Sequence, residues 1–158
     1  MSNTINSELF TQNLKALLEE TFENVKGIYL DGGTSLTETL SSLSAEEASK
    51  PIVPEGTSIA GQVEHIRFYL NVMNGYMDGQ WFEKLDWKQS WLTKSVTKGE
   101  WETIRQNLKA DYEQLCQHLQ RFDDFNDDRR LGGALATIVH TAYHLGAIRQ
   151  IMHLAKKQ

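Results

Sequence analysis

Apolar residues recur every three or four positions along four long stretches of this chain, which is the spacing of one face of an α-helix. The first stretch runs from about Thr4 to Val25, and the second opens at Thr57 and Ser58 and ends near Gly79. The third opens at a capping box, Thr97–Glu100, and the fourth covers Leu131–Ala155. No stretch has the strict apolar–polar alternation of a strand. The pattern therefore predicts an all-α chain of four long helices.

Each stretch carries an apolar seam that we expect to face a common core. In the first stretch the seam consists of Ile5, Leu9, Leu14, Leu17, Leu18 and Phe22. In the second it consists of Ile59, Val63, Ile66, Leu70, Met73 and Met77, and in the third of Trp101, Ile104, Leu108, Tyr112, Leu115 and Leu119. In the fourth it consists of Leu131, Leu135, Ile138, Ala142, Leu145 and Met152, with Val139, Tyr143, Ile148 and Ile151 on other faces. A helix that is apolar nearly all round is expected to be buried on several sides.

The connections predict how these helices are arranged. Residues 27–57 carry a short helical pattern around Ser35–Leu43 and a second capping box, Ser44–Glu47, before the extended backbone that Pro51 and Pro54 impose. About 18 residues join the second and third helices, and at roughly 3.3 Å each they can cross a helix length, so these helices can run parallel. A short acidic turn, Asp123–Asp128, predicts that the third and fourth helices are antiparallel neighbours. We predict a four-helix bundle with the second and third helices parallel.

Residues 80–101 hold all four tryptophans of the chain. These are Trp81, Trp87, Trp91 and Trp101, and Phe82 lies among them. Such a segment must be packed down, because each aromatic side chain buries roughly 150–250 Å². Three interpretations remain open: a structural flap over the bundle, the wall of a pocket, or a contact between subunits.

Composition and charge narrow the class of protein. The chain has 158 residues, of which 40% are hydrophobic and 23% charged, values that suit one globular domain spanning residues 1–158. Its formal charge of −5, and the lack of any Lys/Arg cluster longer than Lys156-Lys157, argue against nucleic acid as a partner. Neither a signal peptide nor an apolar run of the roughly 20 residues that span a bilayer is present, and Cys116 is the sole cysteine. We therefore expect a cytoplasmic protein with no membrane partner.

The candidate chemistry lies in the segment HTAYH of the fourth helix. One helical turn separates His140 from His144, so both imidazoles lie on one face and can converge on a metal ion. Thr141 stands where the zincin motif H-E-x-x-H has its glutamate, so the general base of a metalloprotease is missing. The pair alone also fits two buried histidines that hydrogen-bond neighbouring helices.

A third ligand is available on the second helix. His65 lies at the edge of the apolar seam, and three neutral imidazoles plus water are a typical catalytic zinc shell. Gln62 and Tyr69 share the helix face of His65, where they either orient a ligand or simply pack between helices. We predict that His118 and His153 are solvated surface groups, because Gln, Arg and Lys residues surround them.

Other common chemistries find no support in the sequence. A ferritin-like di-iron centre needs Glu-x-x-His on two helices, and the chain contains no such tetrad. Cys116 has no obvious cation near it to lower its pKa, which predicts a buried, inert thiol. No Gly-rich phosphate loop or nucleophile elbow is present.

The segments SIAGQVEHIRFYL and VHTAYHLGAIRQI, together with the helix order and the long first connection, resemble the DinB-like superfamily of bacterial metalloproteins, which includes the YfiT-like proteins. The resemblance implies a four-helix bundle that binds a divalent metal through one histidine of the second helix and two of the fourth. Those roles fall on His65, His140 and His144. The ion would be zinc or nickel, since imidazole suits both.

The resemblance also implies a homodimer and, for members of known activity, a metal-dependent transferase or isomerase. These enzymes use bacillithiol, mycothiol or glutathione as the thiol, so a small molecule is the expected substrate. From the sequence, thiol S-transfer is favoured, because no carboxylate in HTAYH can serve a hydrolytic water. A metal-dependent hydrolase and a non-catalytic, metal-binding dimeric bundle remain as alternatives.

Overall fold

The computed structural model describes residues 6–121 and 128–155, and every regular element in those ranges is helical. The four long helices are α1 (Ser7–Phe22), α4 (Ile59–Met77), α5 (Lys98–Arg121) and α6 (Asp128–Ala155). Two short helices, α2 (Leu36–Ser41) and α3 (Ala45–Ser49), lie in the first connection, and one 3₁₀ turn (Gln89–Trp91) lies in the second. The predicted all-α fold is confirmed. Among the described residues, no helix combines the length and apolar composition that crossing a membrane requires.

Side-chain caps set the start of each helix before α6. Asn6, Ser35, Ser44 and Ser58 each accept a backbone N–H from the first turn of the helix that follows. The predicted box at Thr97 is also formed, since the Thr97 hydroxyl accepts from Glu100 N and the Glu100 carboxylate accepts from Thr97 N. The acidic turn before Asp128 lies outside the described residues.

Helices α4 and α5 run parallel, as predicted. Arg67 in the middle of α4 pairs with Asp111 in the middle of α5 at 2.9 Å. Asp78, which caps the end of α4, lies 3.5 Å from Gln114 and from His118 in the last turns of α5. Contacts that advance together along both helices require the same direction. The segment 80–97 must therefore travel back along the bundle, and we call it the flap.

Helix α6 runs antiparallel to α4, because His144 contacts Gln62 and His140 contacts His65. Helices α5 and α6 are antiparallel, as predicted, but among the described residues both pack mainly on α4, so the prediction that they are close neighbours is wrong. The residues of α4 that contact α5 and those that contact α6 lie on nearly opposite faces at 100° per residue. Helix α4 therefore lies between α5 and α6, and the face of α4 that is turned away from α5 points toward the histidines of α6.

The seams predicted from the sequence form the core. All six seam residues of α4 and all six of α5 are buried. In α1, Leu14, Leu18 and Phe22 are buried, and the Phe22 ring stacks on Tyr112 of α5 at 4.6 Å. Leu9 in α1 and Leu135 in α6 are exposed, so their assignment to the core is wrong. Ile5 lies outside the described residues.

Helix α6 is buried on one face only. Ala134, Thr137, Ile138, Thr141, His144, Leu145 and Ile148 face the bundle. On the opposite face, Val139 is 69% and Tyr143 73% exposed, and Leu135 one turn earlier is also exposed. The helix is apolar nearly all round because it carries this apolar stripe, Leu135–Val139–Tyr143, in addition to its buried face. Within the single chain, only the buried face is covered by other helices.

Candidate metal centre

Three histidines from two helices meet at one point between α4 and α6. The Nε2 atom of His140 lies 3.1 Å from Nε2 of His65 and 3.2 Å from Nε2 of His144. Each residue offers one ring nitrogen, and all three of these atoms lie within 4.8 Å of one another. His65 and His144 are buried, and His140 is partly exposed. The structure therefore brings together the three candidate ligands predicted from the sequence.

The geometry suits a small divalent cation. Zinc–imidazole bonds of about 2.0–2.1 Å at tetrahedral angles place neighbouring nitrogens roughly 3.3 Å apart, close to the two separations that involve His140. The far nitrogens of two rings are occupied elsewhere: Nδ1 of His65 lies 2.7 Å from Ser90 Oγ, and Nδ1 of His144 lies 2.6 Å from Gln62 Oε1. An amide oxygen accepts only, so His144 carries its hydrogen on Nδ1, leaving the Nε2 lone pair free to bind metal.

The electrostatics also favour neutral ligands. Burial lowers the pKa of His65. Burial, reinforced by the neighbouring imidazoles, lowers the pKa of His140 and of His144 to about 4. His140 and His144 therefore stay unprotonated well below the pH at which a free imidazole gains its proton, and the shift at His65 has the same direction. Neutral imidazole is the form that coordinates a metal.

Aromatic rings enclose the cluster. Tyr69 stacks on His140 with a centroid separation of 4.1 Å, and Trp91 stacks on His65 at 3.9 Å. Trp87 lies 6.4 Å from His65 and 6.2 Å from Tyr69. These rings restrict water around the histidines. Gln62 and Tyr69 both contact histidines of α6, as expected if these two residues orient metal ligands.

The flap reaches the cluster because two glycines of α4 let it approach closely. A Cβ at Gly61 would lie 2.8 Å from the Thr93 carbonyl oxygen, and one at Gly75 would lie 2.6 Å from Phe82 Cζ. These glycines are about four turns apart on one side of α4, so they seat both ends of the flap. Its middle, Trp87–Trp91, then lies against His65. This packing agrees with the interpretation of the segment as a structural flap over the bundle.

The two histidines outside the cluster, His118 and His153, differ in burial. His153 is exposed, as predicted. His118 is buried, so its assignment to the surface is wrong. It lies between Leu115 and Leu119 on the buried side of α5, where its Nε2 is 3.5 Å from the Asp78 carboxylate. The polar residues next to it in sequence lie on the outer face of α5, and for this reason the sequence predicted that His118 is exposed.

Cys116 agrees with the predicted inert thiol. It is partly buried beside Tyr112, and burial raises the pKa of the Cys116 thiol. A thiol that is harder to ionise is a poorer nucleophile at neutral pH. Cys116 lines a cleft between α5 and α1 together with Lys15 and Glu19, and none of the three clustered histidines borders that cleft.

Sequence reasoning missed Ser90. The residue lies in a short 3₁₀ turn without helical periodicity, and 25 positions separate it from the histidine that it contacts. The only sequence signal is the pair of glycines, Gly61 and Gly75, near the two ends of an otherwise regular helix. An isolated helical glycine often marks a close approach of another chain segment.

Comparisons with known proteins agree with this architecture. A family model described as the DinB superfamily matches residues 31–153. The crystal structure of a conserved protein from Enterococcus faecalis superposes with a TM-score of 0.63 at 14% identity, covering 98% of this chain and 99% of that one. At this identity the likeness concerns the fold alone. No curated protein matches the chain.

Proposed function

The chain belongs to the DinB superfamily, and on that premise we propose that it is a divalent-metal-dependent enzyme that transfers a low-molecular-weight thiol to an electrophile. The observation that carries the proposal is the convergence of three imidazole nitrogens, one from each histidine, within 4.8 Å of one another. His65, His140 and His144 would be the ligands of a zinc or nickel ion. The proposal assumes the cytoplasmic location predicted above, where such thiols are kept reduced.

The proposed reaction needs no base from the protein. A divalent ion held by the neutral imidazoles of His65, His140 and His144 would keep its full 2+ charge and would lower the pKa of a thiol bound to it. In the overall reaction the thiol loses its S–H bond, a sulfur–carbon bond forms, and the leaving group departs with its electron pair and gains the proton. Because HTAYH carries Thr141 rather than a glutamate, no carboxylate of that motif competes for this role.

The chain's own residues would orient and enclose the reactants. Gln62 holds the ring of His144 through Nδ1, and Tyr69 supports the ring of His140 by stacking. Trp87 and Trp91 of the flap supply an apolar wall next to His65. An apolar wall excludes water, which otherwise competes with a thiol for the open position and for the electrophile.

Two alternatives follow from the same geometry. Three-histidine zinc also lowers the pKa of bound water to about 7, which would support a hydrolase. A cluster that binds metal without an exchangeable position would support a non-catalytic metal-binding bundle. The partial exposure of His140 favours a site that a small molecule can reach.

Activity assays distinguish these functions. Protein loaded with zinc or nickel is expected to accelerate attack of bacillithiol, mycothiol, glutathione or cysteine on a chromogenic electrophile, because coordination raises the thiolate fraction at neutral pH. The control is metal-free protein with the same thiol. Metal-dependent turnover of an ester or amide panel without thiol transfer would establish the hydrolase instead. Stoichiometric metal with no turnover in either panel would favour the non-catalytic bundle.

We also propose that the chain forms a homodimer through the apolar stripe Leu135–Val139–Tyr143 of α6. Three large apolar side chains at successive turns form a continuous exposed patch, which is unusual for a surface that stays in water. A two-fold pairing of α6 helices would cover the same stripe on both copies. The stripe lies on the face opposite the side of α6 that packs on the bundle, so pairing leaves the core unchanged.

Charged residues in the stripe are expected to separate the subunits. In a Val139→Glu, Tyr143→Glu variant, like charges would be buried at the contact, so sedimentation should change from dimer to monomer with helical content retained. The matched control is a Gln117→Glu, Gln120→Glu variant on the exposed side of α5, which adds the same two negative charges away from the stripe. A wild-type protein that sediments as a monomer at high micromolar concentration would refute the dimer.

A further inference from the structure

Ser90 of the flap hydrogen-bonds directly to one histidine of the cluster. Its hydroxyl oxygen lies 2.7 Å from Nδ1 of His65 and 2.7 Å from the carbonyl oxygen of Trp87. The side chain is buried, so water does not replace either contact readily. Both distances are those of good hydrogen bonds.

The direction of these two bonds is fixed by their chemistry. A carbonyl oxygen can only accept, so the single hydroxyl hydrogen of Ser90 goes to Trp87. The hydroxyl oxygen must then accept from His65, which places a hydrogen on Nδ1. In the neutral imidazole with that hydrogen, Nε2 carries the lone pair. Nε2 is the atom that faces His140 at 3.1 Å.

We propose that Ser90 is a positioning residue of the metal centre, which fixes the tautomer and ring orientation of His65 and so couples metal binding to packing of the flap. The inference rests on the proposed metal-dependent function. Ser90 acts through His65 and is not itself a ligand.

Two observations explain why His65 depends on the flap. His144 takes its orienting partner, Gln62, from α4 itself, whereas His65 takes its partner from a segment that folds back over α4. His140 has no hydrogen-bond partner for Nδ1 among the described residues. Removing the Ser90 hydroxyl would therefore leave only one of the three imidazoles held through its far nitrogen.

The coupling must operate in both directions. If a packed flap strengthens metal binding, metal binding strengthens flap packing by the same factor. The flap is held elsewhere by contacts that touch no histidine: Gly61 lies under Thr93, and the Ser49 hydroxyl accepts the N–H of Val96 at 2.9 Å. Ser49 therefore anchors one end of the flap, while Ser90 links its middle to the cluster.

A Ser90→Ala variant tests the assignment. Loss of the acceptor should weaken Zn²⁺ binding by about 10–100-fold, the usual effect of removing a group that orients a metal-bound histidine. Affinity is measured by competition with a chromogenic chelator. In parallel, Zn²⁺ should slow hydrogen exchange of flap amides in the wild-type protein, and this protection should be lost in the variant. Ser90→Thr keeps the hydroxyl and should restore both.

The matched control is Ser49→Ala, which removes another flap-anchoring serine without touching His65. It should leave Zn²⁺ affinity within a few-fold of wild type even if the flap loosens at Val96. Equal losses in both variants would show that general flap packing, and not the bond to His65, controls affinity, and would overturn the assignment. Unchanged affinity in Ser90→Ala would overturn it as well. If the wild-type protein binds no Zn²⁺, the proposed function fails first, and the role of Ser90 fails with it.

Discussion

A His65→Ala, His140→Ala, His144→Ala triple variant is expected to purify without metal, whereas the wild-type chain should carry about one divalent ion after zinc or nickel supplementation. The reason is that the three ring nitrogens within 4.8 Å of one another are the only His, Cys, Asp or Glu group of this kind among the described residues. Alanine removes every proposed protein ligand. Elemental analysis of both proteins provides the measurement, and far-UV circular dichroism checks that the variant remains helical.

The control for this experiment lies on the same helix. His153 is exposed in the last turn of α6, so His153→Ala should retain the full metal content. A single His140→Ala variant provides a milder test, because the partly exposed ring can be removed with less damage to the core than either buried histidine. Stoichiometric metal in the triple variant would place the metal elsewhere in the chain and remove the basis of the proposed function.

Metal content alone does not distinguish an enzyme from a metal-stabilised bundle. The difference lies in whether the ion keeps a position that a small molecule can occupy. Tyr69 and Trp91 cover the faces of two of the three imidazoles, which limits the approach to the side of the partly exposed His140. A thiol that alters the spectrum of bound Co²⁺ would establish an exchangeable position independently of any turnover.

Periodicity was sufficient to predict the four long helices and the complete seams of α4 and α5. The spacing of Ile59, Val63 and Ile66 requires one buried face of α4, and the structure buries all three completely. The same spacing places His65 beside that face, and the fourth helix must present His140 and His144 together because they are one turn apart. His65 meets His140 and His144 because α4 lies between α5 and α6. The apolar pattern of a single helix does not specify this arrangement of the helices.

Contacts made by aperiodic segments could not be predicted in the same way. Ser90 reaches His65 only because the flap folds back over Gly75 and Gly61, and no local pattern around Ser90 records that path. His118 illustrates the opposite error. Its neighbours in sequence are polar, yet the helical position three residues after Leu115 is buried against the end of α4.

Glu20 is another polar residue whose role depends on an aperiodic partner. It lies near the end of α1 and is completely buried. Its carboxylate accepts four backbone N–H groups of the following loop, those of Lys26, Ile28, Tyr29 and Leu30, at 2.7–3.1 Å. Burial alone would raise the pKa of Glu20, but these four donors lower it from an ordinary 4.5 to about 2. The carboxylate therefore organises the start of the first connection.

Replacing this carboxylate with an amide should lower the stability of the fold, because the start of the first connection is held by it. In Glu20→Gln one oxygen becomes an NH₂ group, which cannot accept, so two of the four N–H groups lose their acceptor and face another donor. The urea midpoint should fall with the slope unchanged. The control is Glu19→Gln, which removes only a surface ion pair with Lys26, an interaction that typically contributes about 0–1 kcal/mol.

The dependence of this loss on pH identifies its cause. Because the folded-state pKa of Glu20 is about 2 and the ordinary value is 4.5, the unfolded chain binds more protons between those values. The stabilisation by the carboxylate is therefore fully present above the ordinary value and declines as the pH falls toward 2. The difference in urea midpoint between wild type and Glu20→Gln should accordingly be constant near neutrality and narrow on acidification below about pH 5. A difference that stays constant on acidification would show that packing of the side chain, rather than its charge, holds the loop.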